Sequence, residues 1–206
     1  MSYGYTGDIL HIDLSSKKYW IENPPENFYR TYWGGRALAL YYMLKEMKAH
    51  ADPFSPENLL IFAPGVLTGV PAPAMPRYTV CAKSPLTGAQ GEAEAGGWWG
   101  PELKKAGFDA IIIKGSSKTP VYLCIKDGKA EIKDAAHLWG KDTGTTQKMI
   151  REELADDRIR IAQIGPAGEN LVRFANIVNE LKHFNARNGL GAILTLSSFN
   201  SSLIIF

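Results

Sequence analysis

Two arginines and several closely spaced glycines are the residues of this chain best suited to hold a ligand. Gly96 and Gly97, directly after Ala95, precede a short helix predicted from Trp98 to Ala106. Because glycine has no Cβ atom, a ligand can approach the backbone closely at such a pair. The free N–H groups at a helix start attract negative charge, above all phosphate. This corner is therefore predicted to bind an anion rather than to perform a reaction.

Two further corners carry the arginines. Arg77 follows the proline-rich loop 71–76, and Arg187 stands beside Gly189 and Gly191. A guanidinium group is a planar fork that binds phosphate through two hydrogen bonds. Each corner alone is more often an ordinary turn, and Gly189-x-Gly191 lacks the third glycine of a dinucleotide fingerprint. If the three corners converge, they suit a phosphate-bearing ligand.

The sequence offers no evident catalytic constellation. Ser84 precedes a proline and has no G-x-S-x-G frame, and the four histidines are scattered. Glu102 in the predicted helix is better explained as a solvated or ion-paired residue than as a general base. Cys81 and Cys124 lie in strand-like runs, where a thiol usually packs as a small apolar group. Two isolated cysteines cannot supply the four ligands of an iron–sulfur cluster or structural zinc site.

The bulk composition predicts a folded, cytoplasmic domain. The chain has 206 residues, 45% of them hydrophobic and 21% charged, which is ordinary for a soluble globular protein. A net charge of +2 and the lack of a basic run with interleaved aromatics argue against nucleic acid as a partner. Neither a bilayer-length apolar stretch nor a signal-peptide pattern is present, so no membrane partner is expected.

The hydrophobic patterning predicts a single α+β domain with more strands than helices. A hairpin is predicted over residues 7–22, and its alternation places His11 on the polar, solvated face. Asp127-Gly128 predicts a two-residue turn between two strands. The other predicted helices cover residues 26–32, 36–48 and 143–154, and the other strands residues 59–63, 78–82, 110–114 and 159–164.

Taken together and in order, the motifs resemble the N-terminal domain of the aldehyde ferredoxin oxidoreductase family. The resemblance covers about residues 4–193, and residues 194–206 diverge from it. The segments that carry it are Gly34-Gly-Arg36, Asp52-Pro-Phe-Ser-Pro-Glu-Asn58, Phe62-Ala-Pro-Gly-Val-Leu-Thr-Gly69, Arg77-Tyr78, Lys83-Ser-Pro-Leu-Thr-Gly88, Gly96-Gly97, Gly100-Pro-Glu-Leu-Lys104, Ala106-Gly107, His137-Leu-Trp-Gly-Lys141 and Ile164-Gly-Pro-Ala-Gly-Glu-Asn170.

The resemblance implies a β-rich domain of antiparallel and mixed sheets on which a tungsten, or sometimes molybdenum, bis-pterin cofactor lies. Such enzymes oxidise aldehydes to carboxylic acids and pass electrons through a [4Fe–4S] cluster to ferredoxin. In the family, helical domains outside this one supply the cluster cysteines and the substrate channel. The positions that match the family's cofactor contacts are Arg77, Ala95, Gly96, Gly97, Arg187, Gly189 and Gly191.

Three positions depart from the family pattern. Glu94 stands where several members carry asparagine, and a carboxylate beside a phosphate repels it unless a cation such as Mg²⁺ lies between them. His183 and Phe184 stand where many members carry arginine and alanine. The resemblance therefore allows a magnesium ion that bridges the cofactor phosphates.

Because the chain lacks cluster ligands and helical domains, it is not expected to turn over aldehyde alone. It could act with a complementary helical chain that carries the cluster, or be a truncated relic of a longer enzyme. Alternatives are a non-catalytic module for another phosphorylated ligand or a protein partner, and a generic nucleotide-binding domain. An uncovered apolar face at Trp98 and Trp99 also predicts self-association into a homo-oligomer.

Overall fold

The computed structural model describes residues 4–196 and 204–205 and contains two mixed β-sheets with six helices. The strands are β1 Ile9–Asp13, β2 Lys18–Glu22, β3 Leu60–Pro64, β4 Tyr78–Lys83, β5 Gln90–Ala95, β6 Ala110–Lys114, β7 Val121–Lys126, β8 Lys129–Asp134, β9 Ile161–Gln163, β10 Ile177–Asn179, β11 His183–Asn185 and β12 Ile204–Ile205. The helices are α1 Glu26–Tyr32, α2 Gly35–Glu46, α3 Trp99–Lys105, α4 Thr143–Leu154, α5 Pro166–Glu169 and α6 Leu190–Leu196.

The first sheet has the order β2-β1-β6-β3-β4-β5 and uses the first half of the chain. Its strands pair antiparallel except β1 and β6, which run parallel. The second sheet has the order β11-β10-β9-β12-β7-β8, with one parallel pair between β12 and β7. This mixture without regular βαβ alternation confirms the predicted α+β class.

The main core lies between the two sheets and includes α3 and α6. One face of the first sheet contributes alternate residues such as Leu10, Phe62 and Tyr78, and Trp99 of α3 packs on them. The Trp99 ring lies 4.5 Å from the Tyr78 ring and 5.2 Å from the Phe62 ring, between centroids. This aromatic contact fixes α3 directly after the glycine pair of residues 96–97.

The opposite face of the first sheet is covered by α1 and α2, which form a second core. Leu38 and Tyr42 of α2 pack there against Ile9, Ile61 and Cys81. The first sheet is therefore buried on both faces along β1, β6 and β3. Along β5 the α2 side of the sheet is partly open, because Glu92 and Glu94 are not buried.

His11 lies on the α2 side, and its predicted placement on a solvated face is wrong. Its side chain is only 3% exposed, and its Nε2 lies 2.8 Å from Oε2 of Glu22. The Tyr42 hydroxyl donates to the same carboxylate oxygen at 3.0 Å. Both faces of β1 are buried, each in a different core, and the core on the α2 side is partly polar. The alternation of polar and apolar residues in β1 therefore does not mark a solvent-exposed face.

Most of the other predicted elements are confirmed within one to three residues at their ends. The Asp127-Gly128 turn joins β7 and β8 as predicted. The sequence patterns gave no prediction for β5, β11 or α6. The predicted strand over residues 159–164 is shorter, Ile161–Gln163.

Among the helices of the described residues, none combines the length and the apolar character that crossing a bilayer requires.

Candidate functional site

Two of the predicted arginines line one cavity on the open, α2-side face of the first sheet. This cavity, the arginine cavity, has a volume of about 520 Å³. It contains Arg77, just before β4, and Arg187, just after β11, and a third arginine, Arg36 of α2. Its full lining is Arg36, Arg77, Glu92, Ala93, Glu94, Phe184, Ala186 and Arg187.

The arginine cavity continues into two neighbouring cavities, and we call the three together the groove. A central cavity of about 260 Å³ shares Arg36, Arg77 and Glu94 with it. A third cavity of about 750 Å³ shares Ala74 and Met75 with the central one. The third cavity is lined by residues 69–76, Gly97, Trp98, Pro101, Lys105 and His183. The groove thus includes Arg187 and Gly97, whereas Gly96 is not part of its lining.

Arg77 is held in the groove through its backbone. The Thr68 hydroxyl donates to the Arg77 carbonyl oxygen at 2.6 Å, and it accepts a hydrogen bond from the Gly65 amide at 2.9 Å. The corner after β3 is therefore tied to the start of β4. The guanidinium group itself is exposed.

The charges of the groove are mixed. The Arg77 guanidinium lies 3.9 Å from the Glu94 carboxylate, and the Arg36 guanidinium lies 3.2 Å from the Glu92 carboxylate. These pairs are substantially solvated, so each contributes little to stability. Three guanidinium groups face two carboxylates, and the exposed arginines can exchange these partners for a stronger anion such as phosphate.

The segment with Arg187 is fixed to β5 by asparagine side chains. Nδ2 of Asn185 donates to the Ala93 carbonyl oxygen at 2.9 Å, and Nδ2 of Asn188 donates to the Glu92 carbonyl oxygen at 2.7 Å. Both asparagines flank Arg187 closely in sequence. The second sheet therefore positions Arg187 against the strand that carries Glu92 and Glu94.

At the glycine pair, the chain places its own carboxylate against the helix start. The Trp98 amide donates to Oε1 of Glu180 at 2.9 Å. A Cβ atom at Gly97, whose φ is +91°, would lie 2.5 Å from Oδ1 of Asn179 and 2.7 Å from the His183 ring. Gly97 is thus required for the close packing of the β10–β11 hairpin. Glu180 accepts a hydrogen bond from the Trp98 amide, which is one of the backbone amides that were predicted to bind phosphate.

The remaining predicted site residues lie outside the lining of the groove. The Ala95 side chain is buried in the core between the sheets. A Cβ atom at Gly189 would overlap the carbonyl oxygen of Arg173, and one at Gly191 would lie 2.6 Å from that of Asn176. These two glycines therefore allow α6 to pack on the chain's own backbone. Their assignment as cofactor contacts stays a prediction.

The cysteines have the character expected of core residues. Burial raises the pKa of Cys81 to about 12, and it also raises the pKa of Cys124. Thiols of this kind stay protonated at neutral pH and are poor metal ligands. Among the described residues, no group of three or more histidine, cysteine or acidic side chains could hold a metal ion.

Sequence reasoning did not single out Arg36 or Glu92 as residues of the site. Arg36 follows Gly34-Gly35 directly, which is a signal of the same kind as the one that marked Arg187. Glu92 and Glu94 share one face of β5, but the strand was not predicted because Gln-Gly-Glu-Ala-Glu-Ala contains poor strand formers.

Comparison with known proteins assigns nearly the whole chain to one family. Residues 9–198 match the family model described as "Aldehyde ferredoxin oxidoreductase, N-terminal domain". The chain is 47% identical over 192 residues to the tungsten-containing aldehyde ferredoxin oxidoreductase of Pyrococcus furiosus, with 93% of this chain and 32% of the relative covered. It is 35% identical to the aliphatic sulfonate oxidoreductase, WOR-like subunit, of the same organism, covering 93% of this chain and 33% of the relative.

A solved structure shows the same fold. It is the active site complex BamBC of benzoyl coenzyme A reductase with 1,5 dienoyl-CoA, and the TM-score is 0.94 at 37% identity. The match covers 98% of this chain and 31% of that chain. The chain spans about a third of the length of the relatives that it matches. Since the family model covers most of its residues, the chain belongs to the N-terminal domain family of the aldehyde ferredoxin oxidoreductases.

Proposed function

We propose that this chain is the domain that holds the tungsten-pterin cofactor of an aldehyde ferredoxin oxidoreductase-type enzyme. The observation that carries the proposal is that Arg77 and Arg187, distant in sequence, line one cavity together with Arg36. Guanidinium groups gathered on an open, solvated face suit the phosphate ends of a large ligand. The chain contributes to aldehyde oxidation by binding and orienting the cofactor.

The donor set of the groove fits a phosphorylated cofactor. Arg77 and Arg187 would bind phosphate, and Arg36 would add a third cation at the point where the arginine and central cavities meet. When bound, a tungsten bis-pterin supplies the redox chemistry of aldehyde oxidation. The described residues of this chain supply binding, orientation and one wall that excludes water from the cofactor.

The Glu94 carboxylate favours a magnesium ion beside the cofactor phosphates. Its carboxylate lies in both the arginine and central cavities, where it would repel a phosphate unless Arg77 or a cation neutralises it. Since no three acidic or histidine ligands cluster in the described residues, such an ion would take most of its ligands from phosphate and water.

The substrate is set by parts of the enzyme outside this domain. Relatives named for an aldehyde, an aliphatic sulfonate and benzoyl coenzyme A all match this chain over about a third of their length. Cofactor holding is the role that these proteins can share here. A [4Fe–4S] cluster, ferredoxin as electron acceptor and a complementary helical region would belong to the complete, cytoplasmic enzyme.

The proposal is tested by cofactor analysis of the protein purified from its native host. We expect tungsten by metal analysis and a fluorescent pterin after oxidative release. Replacing Arg77 or Arg187 with alanine removes charge-assisted hydrogen bonds of about 1.5–3 kcal/mol each, so pterin retention should fall roughly tenfold or more.

Arg158→Ala is the matched control, because Arg158 is an exposed arginine outside the groove. This variant should retain pterin at the level of the unaltered protein. If Arg77→Ala and Arg187→Ala both retain as much pterin as the unaltered protein does, neither residue belongs to the site. A bound nucleotide in place of pterin would instead favour the generic nucleotide-binding domain.

A further inference from the structure

Tyr78, the residue after Arg77, carries a buried hydroxyl group that joins the two sheets. The hydroxyl donates to Oδ1 of Asn185 in β11 at 2.8 Å. It also accepts a hydrogen bond from Nδ2 of Asn179 in β10 at 2.9 Å. Both asparagines are fully buried. One phenol of β4 therefore connects two strands of the second sheet inside the core.

Each asparagine extends this contact to a backbone carbonyl group near the candidate site. Nδ2 of Asn179 also donates to the Gly96 carbonyl oxygen at 3.3 Å, and Nδ2 of Asn185 donates to the Ala93 carbonyl oxygen at 2.9 Å. The reverse orientation of either side-chain amide would place its oxygen against a carbonyl oxygen, so both orientations are fixed. The Tyr78 hydroxyl hydrogen must then point to Asn185, because Nδ2 of Asn179 can only donate.

We propose that the Tyr78 hydroxyl is the positioning group that holds the three corners of the candidate site in one arrangement. Arg77 is its neighbour in the chain, Asn179 leads to the glycine pair, and Asn185 stands two residues before Arg187. This inference rests on the proposed cofactor-holding role. It gives Tyr78 a part in that role although the side chain does not line the groove.

The contact at Gly96 sets the direction of the Gly97 amide. In a trans peptide bond the C=O and N–H groups point in opposite directions. Since buried Asn179 holds the Gly96 carbonyl oxygen, the Gly97 N–H points away from Asn179 and from the core. Gly97 lines the third cavity, and within the described residues its amide has no hydrogen-bond partner. The network thus orients an unpaired backbone donor that a ligand in the groove can use.

The variant Tyr78→Phe removes the hydroxyl group and keeps the ring. The ring packs on Trp99 and Phe62, with centroids 4.5 and 6.4 Å away, so the apolar contacts of the core are retained. Oδ1 of Asn185 loses its donor, and Nδ2 of Asn179 loses one of its two acceptors. Each asparagine can then turn away from its carbonyl partner near the candidate site.

Hydrogen exchange of the cofactor-free, 206-residue chain tests the coupling. Tyr78→Phe should accelerate amide exchange roughly tenfold in both residues 93–98 and residues 183–188. Tyr122→Phe is the matched control, because the buried Tyr122 hydroxyl donates to Oε1 of Glu153 at 2.6 Å and neither residue lines the groove. This control should leave exchange in both segments unchanged. Unchanged exchange in Tyr78→Phe, or equal acceleration by Tyr122→Phe, overturns the proposal.

Pterin release from the cofactor-loaded protein tests the positioning role. Tyr78→Phe should release pterin roughly tenfold faster than the unaltered protein, and Tyr122→Phe should release it at the unaltered rate. When Arg187→Ala is already present, adding Tyr78→Phe should have a smaller effect, because the hydroxyl acts in part through Arg187. Strictly additive effects, or an unaltered release rate in Tyr78→Phe, overturn the inference and leave the cofactor proposal intact. An unaltered protein without pterin overturns the cofactor proposal, and hydrogen exchange then decides whether Tyr78 couples the corners.

Discussion

His11 illustrates at the residue scale how a buried imidazole is kept neutral. Burial lowers its pKa from the ordinary value of 6.5, while Glu22 and, more weakly, Glu46 act in the opposite direction. Lys114, whose ammonium lies over the Trp20 ring, also favours the neutral form. Desolvation is the largest of these effects, so it decides the direction.

The lowered pKa predicts a pH dependence of folding stability. Between the folded-state pKa and about pH 6.5, the unfolded chain binds a proton at His11 that the folded chain does not bind. The free energy of unfolding should therefore fall as the pH drops below about 6.5, and this loss ends below the folded-state pKa. Urea unfolding at pH 7.5 and 5.5 measures it.

The variant His11→Gln should lose this part of the pH dependence, since glutamine does not titrate. His50→Gln, at an exposed position, is the matched control and should keep it. If the unaltered chain and His11→Gln lose equal stability between the two pH values, His11 is not the group responsible.

At the element scale, the start of α6 depends on the absence of a side chain at Gly189. Its φ is +68°, and a Cβ atom would overlap the Arg173 carbonyl oxygen. Gly88 has a similar φ of +72° but open space around it. Both substitutions by alanine carry the cost of a left-handed backbone, about 1–2 kcal/mol. Only Gly189→Ala adds a backbone clash, which should raise the loss of unfolding free energy to more than about 4 kcal/mol.

Urea unfolding of the two glycine variants separates these costs. Gly88→Ala should unfold cooperatively with a modest loss of stability. Gly189→Ala should unfold at much lower urea or fail to accumulate in soluble form. Similar losses in both variants would mean that α6 can move away from Arg173 at little cost.

The elements differ in how far the sequence predicts them, for physical reasons. The β7–β8 hairpin is local, because Asp127-Gly128 specifies its turn and the two strands are consecutive in the chain. Strand β5 is specified by its partner β4, across which small residues such as Gly91 and Ala93 pack. Helix α6 begins at Leu190 inside a glycine-rich segment, where intrinsic propensity opposes a helix and tertiary packing decides.

At the scale of the whole molecule, the groove is bordered by large apolar side chains that are exposed. Trp98 is 59% exposed and lines the third cavity, Phe184 is 50% exposed and lines the arginine cavity, and Leu67 lines the central cavity. An apolar border of this kind binds hydrophobic dyes until a ligand or another domain covers it. The cofactor-free chain should therefore enhance the fluorescence of such a dye.

Replacing Trp98 and Phe184 together with serine should lower the dye fluorescence by roughly half, because it removes the largest apolar groups of this border. Leu44→Ser on α2 is the control, since Leu44 is more exposed than either residue but does not line the groove. A larger effect of Leu44→Ser would place the main apolar surface on α2.

The sequence predicted the kind of ligand that the candidate site suits better than it predicted which residues meet there. The residue types at Arg77 and Arg187 indicated an anion, and the structure brings both to one cavity. The contact of Glu180 with the Trp98 amide was not predictable, because the two residues lie 82 positions apart and meet only through the packing of the second sheet.

The asparagine contacts to β5 also bear on how the protein is made. The carbonyl oxygens of Glu92 and Ala93 accept hydrogen bonds from Asn188 and Asn185. These two asparagines are translated 96 and 92 residues later. During synthesis, β5 therefore leaves the ribosome long before its supports exist. The arginine cavity is therefore complete only after the second sheet has been translated, and a nascent chain that stalls earlier exposes only one of its two walls.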